Sequence, residues 1–305
     1  MQLHRLRIGL ATALTGVLLS SAAASAQPPR APLPLEPEGN RGEAVFPAVE
    51  GWYRNADGSF TILLGYFNRN DGPVDVTIGP DNQIQPGGPD LGQPTHFLPR
   101  RAWGVFAINV PADFGEQRLT WTLTANNQRS EVSFWLNPPY FVNPFLNRAN
   151  GNTPPRLRVG DREELQGPPV TGVSATYSAT VGETIELKAS ARDEPLTNPP
   201  PPRRRGRPRP PLTLTWRLYR GPAEVIFESG AEDGTNGRHE FADLAGGETT
   251  TFATFTEPGD YRLMITANDL SGNGGGGDQC CWTTSFVDVT VRQPTSAARP
   301  PARRN

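Results

Sequence analysis

The chain has two cysteines in 305 residues, Cys280 and Cys281, and they are adjacent. Within one chain they can bond only to each other, and on a strand their side chains would point to opposite faces. Three states stay open: a vicinal disulfide in a loop, two reduced thiols, or a bridge to another molecule. The run Gly272-Asn-Gly-Gly-Gly-Gly277 just before them supplies the backbone freedom a vicinal bond needs. Two thiols without a nearby His do not form a usual zinc set. Beyond residue 26 only His96 and His239 remain, and neither sits in an H-E-x-x-H or H-x-H pattern. G-x-S-x-G and Walker-type loops do not occur, and the glycine run Gly272–Gly277 is too plain to cradle a phosphate. The residues thus name no catalytic group, no cofactor-binding group and no cofactor, and the chain is expected not to be an enzyme.

Weaker chemistry sits at strand ends. Asp193 and Glu194 follow one predicted strand, and Asn268 and Asp269 end another. If the two ends meet, Asp193 and Asp269 are candidate oxygen ligands for Ca²⁺. Ordinary turn chemistry accounts for the same residues, since Asp and Asn commonly end strands. Pro195 to Pro211 holds eight Pro and five Arg, including Arg203, Arg204 and Arg205. That composition predicts an extended surface insertion and a candidate contact for an anionic partner. Several aromatics suggest sugar stacking, but Trp121 shares its register with Leu119 and Leu123 and is expected in a core. Trp135 differs: Phe134 and Leu136 take the presumed inner face, which leaves Trp135 outward as a candidate surface contact.

The elements that must hold these groups are strands. Gly (32) and Pro (33) are both abundant, which forbids long helices and punctuates short strands. Period-two alternation recurs throughout. Leu119, Trp121 and Leu123 alternate with Thr120, Thr122 and Thr124; Leu212, Leu214, Trp216 and Leu218 alternate with Thr213, Thr215 and Arg217. Val287, Val289 and Val291 do so with Asp288 and Thr290 between them. Trp103 to Val110 reads as one strand buried on both faces. Residues 44–137 are expected to form an N-terminal β-sandwich and residues 170–292 a second one. A Pro-rich linker is expected over 138–169, a Pro-rich lead-in over 27–43 and a tail over 293–305. The fold class is therefore all-β, with two immunoglobulin-like sandwiches in tandem.

The first 26 residues read as a cleavable signal. Arg5 and Arg7 precede an apolar run, Ile8 to Leu19, and Ala24-Ser25-Ala26 fits the A-x-A cleavage rule. The run is 12 residues long, short of the roughly 20 a spanning helix needs. The mature chain is expected to begin at Gln27 with no transmembrane segment, in the periplasm or outside the cell. Losing the two Arg moves the formal charge from −2 to −4. That balance gives no overall pull toward nucleic acid.

Three stretches carry a family likeness. They are Val181-Gly-Glu-Thr-Ile-Glu-Leu-Lys-Ala-Ser190, Leu212-Thr-Leu-Thr-Trp216, and Phe255-Thr-Glu-Pro-Gly-Asp-Tyr261-Arg-Leu-Met-Ile-Thr-Ala-Asn-Asp269. Together they resemble the polycystic-kidney-disease (PKD) type of immunoglobulin-like domain over about residues 170–292. The family's usual Trp-x-Phe-Gly-Asp-Gly is absent, because Trp216 is followed by Arg-Leu-Tyr-Arg-Gly. The resemblance implies a Tyr261 tied back to its own corner, and a spacer, adhesion or binding module. The expected role is an exported binding or scaffold protein whose partner is a protein or polysaccharide of the envelope. The alternatives are an extracellular glycan-active enzyme and a structural subunit of a surface assembly.

Overall fold

A computed structural model describes residues 42–143, 152–195, 209–228, 236–271 and 282–294. The described residues belong to one compact unit. Strands dominate it, and two sandwiches follow one another along the chain. The signal, residues 27–41 of the lead-in, residues 295–305 of the tail, Arg203, Arg204, Arg205, Cys280 and Cys281 lie outside the described residues.

The N-terminal sandwich is built from β1 (Val45–Arg54), β2 (Phe60–Asn68), β3 (Val74–Asp75), β4 (Asn82–Gln85), β5 (His96–Phe97), β6 (Arg100–Val110), β7 (Leu119–Ala125) and β8 (Gln128–Phe134). One sheet runs β1-β2-β6, the other β4-β7-β8, and β3 pairs with β5. Ile62, Leu64, Ile84, Phe106, Trp121 and Leu123 meet in its core. On β6 the two-faced burial expected over Trp103 to Val110 holds for Val105 to Ile108, where Leu63, Ala107 and Val142 form a small second cluster, but Trp103 is half-buried and Asn109 exposed. Ala125 to Gln128 form a two-residue hairpin, with Asn126 and Asn127 both at positive φ (50° and 61°). Val74, Val76 and Ile78 alternate with Asp75 and Thr77, yet the strand stops at Asp75. Gly79 to Asn82 form a turn that leads into β4, paired with β7. Asn82 anchors the start of β4. Its fully buried amide donates to the carbonyls of Val76 and Pro94 (2.9 and 2.8 Å), and its oxygen accepts from Trp121 Nε1 (3.1 Å).

The second sandwich comprises β9 (Arg156–Val159), β10 (Leu165–Gln166), β11 (Ala175–Thr180), β12 (Thr184–Arg192), β13 (Leu212–Arg220), β14 (Val225–Phe227), β15 (Asn236–Phe241), β16 (Gly247–Phe255), β17 (Gly259–Asp269) and β18 (Trp282–Arg292). Its sheets run β10-β9-β12-β16-β14 and β11-β18-β17-β13-β15. β11 lies parallel to β18, and every other pairing is antiparallel. This is the immunoglobulin-like arrangement, with β12 and β16 facing β13, β17 and β18 across the core. The corner is closed as the resemblance implied: Tyr261 Oη donates to the carbonyl of Glu257 at 2.8 Å. Trp216 is fully buried, and so are Leu187, Leu214, Phe255, Ile265 and Val287. The stretch 138–169 is connection only in part. β9 pairs with β12, with Leu157 and Val159 in the core and Arg156 and Arg158 turned away from it. Pro154, Pro155 and Gly160 bracket a strand too short to stand out amid the surrounding prolines.

Candidate functional site

The sandwiches meet on the outer face of β13, β17 and β18, the face that alternation assigns to solvent. Three large apolar side chains interrupt that polar face on adjacent strands: Tyr219, Met264 and Phe286. Met264 and Phe286 are register partners, and the Tyr219 and Phe286 rings lie 4.7 Å apart. All three pack into the core of the N-terminal sandwich beside Leu91 and Phe106. Burying them removes apolar surface that neither sandwich covers by itself.

Polar groups fix the register of this junction. Tyr219 Oη donates to the carbonyl of Gly92 (2.5 Å), and the Tyr219 carbonyl accepts from the Thr95 amide (3.2 Å). Next to it, the Arg220 guanidinium forks. Nη1 and Nη2 reach the two Asp90 carboxylate oxygens (3.0 and 2.8 Å), while Nε and Nη2 donate to the Gln93 carbonyl (2.8 and 2.5 Å). Hydrogen bonding from Arg220 holds the Asp90 carboxyl below the usual carboxylate range. Burial pushes the Tyr219 phenol well above its usual value, so it stays a neutral donor. At the far edge Asn109 Nδ2 donates to Thr171 Oγ1 (3.2 Å). A bidentate pair from Arg262 to Asp288 (2.7 and 3.0 Å) flanks the apolar patch. These charge-assisted and neutral hydrogen bonds tie the second sandwich to the Asp90–Thr95 loop of the first.

The fold does bring the ends of β12 and β17 together. Burial, together with the nearby Asp269 and Glu194 carboxylates, pushes the Asp193 carboxyl up to about 7. Asp193 Oδ1 accepts from the Glu194 amide, and Oδ2 is buried with no hydrogen-bond partner. Asp269 accepts from Asn152 Nδ2 (2.6 Å) and from the Ser271 amide and hydroxyl. Among the described residues, no group of three or more His, Cys, Asp or Glu is placed to hold a metal ion.

Trp135 is partly buried. The Arg118 guanidinium covers one ring face at 3.7 Å, and Val49, Val132 and Tyr140 line a groove beside it. Tyr140 and Phe141, each about half exposed, extend this aromatic edge. Phe141 packs edge-on against Trp52, whose Nε1 donates to the Asn137 carbonyl (2.7 Å). His96 and His239 do not meet. His96 Nδ1 contacts Asp75 (2.8 Å), and His239 Nε2 contacts Thr251 Oγ1 (2.8 Å). No helix among the described residues is long and apolar enough to cross a membrane.

The junction residues went unread in the sequence, although a signal for three of them was there. Tyr219, Met264 and Phe286 each break a polar run at an outward position of an otherwise regular strand. Asp90 and Gln93 sit in a loop whose composition carries no such mark.

No protein-family model matches the chain, nor does any curated protein. Among solved structures, the chain is similar to the tandem Ig domains A164-A165 of titin, at 10% identity and a TM-score of 0.22. That match covers 83% of this chain and 100% of that one. It is also similar to the tandem Ig repeats of Dlar (12% identity, TM-score 0.26, 82% of this chain and 100% of that one). A third is the D00-D0 domain of intimin (13% identity, TM-score 0.24, 82% and 100%).

Proposed function

We propose that this is an exported, non-enzymatic binding or scaffold protein of the cell envelope or extracellular space, in which two sandwiches work as one stiff body. The junction carries this reading. Domains in one chain move against each other by default unless their interface is substantial and apolar. Here an aromatic ring of the second sandwich sits in the core of the first, and Arg220 fastens the adjoining loop. A fixed spacing between two modules is what a spacer or display protein requires.

The amino-terminal signal pattern supports export, with Gln27 as the first residue of the mature chain. The corner made by Tyr261, with the flanking Phe-Thr-Glu-Pro-Gly stretch, supports a PKD-type assignment for the second sandwich. The aromatic edge around Trp135 is the surface we assign to a protein or polysaccharide partner.

The test is to express the full chain in a Gram-negative host and fractionate the cells. The mature protein is then isolated for mass measurement, and for pull-down against envelope extract and insoluble polysaccharides. The expected result is a mass beginning at Gln27 and a retained envelope partner whose capture weakens on Trp135→Ala. An uncleaved chain left in the cytoplasm, or release of soluble sugars from the polysaccharide, would overturn the reading.

A further inference from the structure

The outer face of β15, β13 and β17 carries more than the junction. Beyond Tyr219 it becomes polar: Thr213, Thr215 and Arg217 of β13 stand beside Arg238 of β15 and Thr266 and Asn268 of β17. Register makes them neighbours, since Thr215 is opposite both Arg238 and Thr266, and Thr213 is opposite Asn268. With Arg209 and Asp269 they line a cavity of about 320 Å³. That volume is at the small end of the roughly 300–1,000 Å³ of ligand pockets.

Three guanidiniums line this cavity against one carboxylate, and Asp269 already accepts from Asn152 and Ser271. Arg209 donates to the Leu270 carbonyl (3.1 Å), and Arg238 touches Glu240 through Nε (3.3 Å). Arg217 is mostly buried and makes no hydrogen bond or ion pair with any described residue. Its guanidinium lines the polar cavity, with the Tyr66 phenol nearby, and offers hydrogen-bond donors there. Burial lowers the Arg217 pKa; the nearby Tyr66 phenol opposes this, and the Arg238 charge adds to it. A guanidinium in such a place is stabilised by an oxyanion that accepts its fork of donors.

We propose that this cavity binds the oxyanion of a small polar molecule, a carboxylate or a phosphate, held by Arg217 and Arg238 over a floor of threonine hydroxyls. The proposal does not rest on the scaffold reading, because neither residue makes a hydrogen bond or ion pair with Tyr219, Arg220, Asp90 or Gln93, although Arg217 lies near Tyr66 of the first sandwich.

Titration calorimetry on the mature chain tests it with three probes: glucuronate, glucose 6-phosphate and neutral glucose. Saturable binding of at least one acid is expected, weakened at least about tenfold by both Arg217→Gln and Arg238→Gln. Which acid binds separates carboxylate from phosphate. Arg238 lies on an edge strand with its side chain 39% exposed, so that variant reports even if Arg217→Gln folds poorly. Three results would each overturn the proposal: neither acid binding more tightly than about 10 mM, glucose binding as well as the acids, or wild-type affinity in the variants.

Discussion

Replacing Arg220 with alanine removes the fork that joins the second sandwich to the loop at Asp90–Gln93. Its two parts differ in weight. The Asp90 side chain is 48% exposed, which puts the ion pair in the range of about 0.2–1 kcal/mol. The Gln93 carbonyl receives two bonds from the guanidinium, and Gln93 is fully buried, so its loss is not made good by water. A charged hydrogen bond of this kind is worth about 1.5–3 kcal/mol. The expected cost of Arg220→Ala is therefore about 2–4 kcal/mol, with Asp90→Ala costing less than about 1 kcal/mol. Urea unfolding followed by tryptophan fluorescence measures both, and the double variant completes the cycle. Because Tyr219 and Phe286 belong to the neighbouring core, the loss should lower a single transition shared by both sandwiches. A change below about 0.5 kcal/mol for Arg220→Ala would refute the assignment of the junction. So would an Asp90→Ala cost equal to that of Arg220→Ala, since that would place the energy in the exposed pair.

Trp216→Ala should cost about 3–5 kcal/mol by calorimetry. Trp216→Phe should cost far less, because the Trp216 indole N–H is buried with no hydrogen-bond partner and phenylalanine dispenses with it. Tyr261→Phe removes only the bond to the Glu257 carbonyl and should cost about 0.5–1.5 kcal/mol in urea midpoint shifts. Asp193 has a folded pKa of about 7, above the roughly 3.9 of an unfolded chain. Its contribution is thus complete below about pH 4 and lost as pH rises through about 7. The carboxyl is partly exposed, so the full shift is discounted to about 1–2 kcal/mol. Asp193→Asn should remove that loss between pH 4 and 8, and matching pH–stability curves for the two proteins would count against the burial argument.

The period-two patterns of Leu119–Leu123, Leu212–Leu218 and Val287–Val291 were enough to specify strands and to choose their core faces. The Pro-Gly turn before Tyr261 likewise marked its corner. These are local properties, because side chains two apart share a face whatever lies beyond the strand. What covers the other face is not local. Thr213 and Thr215 look solvent-facing in the sequence and are nearly buried in the fold. Tyr219 is the only residue of the outer face of β13 whose type hints that another domain covers it. Arg220 and Asp90 are partners, and Asp193 and Asp269 are neighbouring carboxylates, each pair more than 70 residues apart in the chain. Only the packing of two sheets and two sandwiches brings such groups within reach, since residue type records a side chain's chemistry and not its distant neighbours.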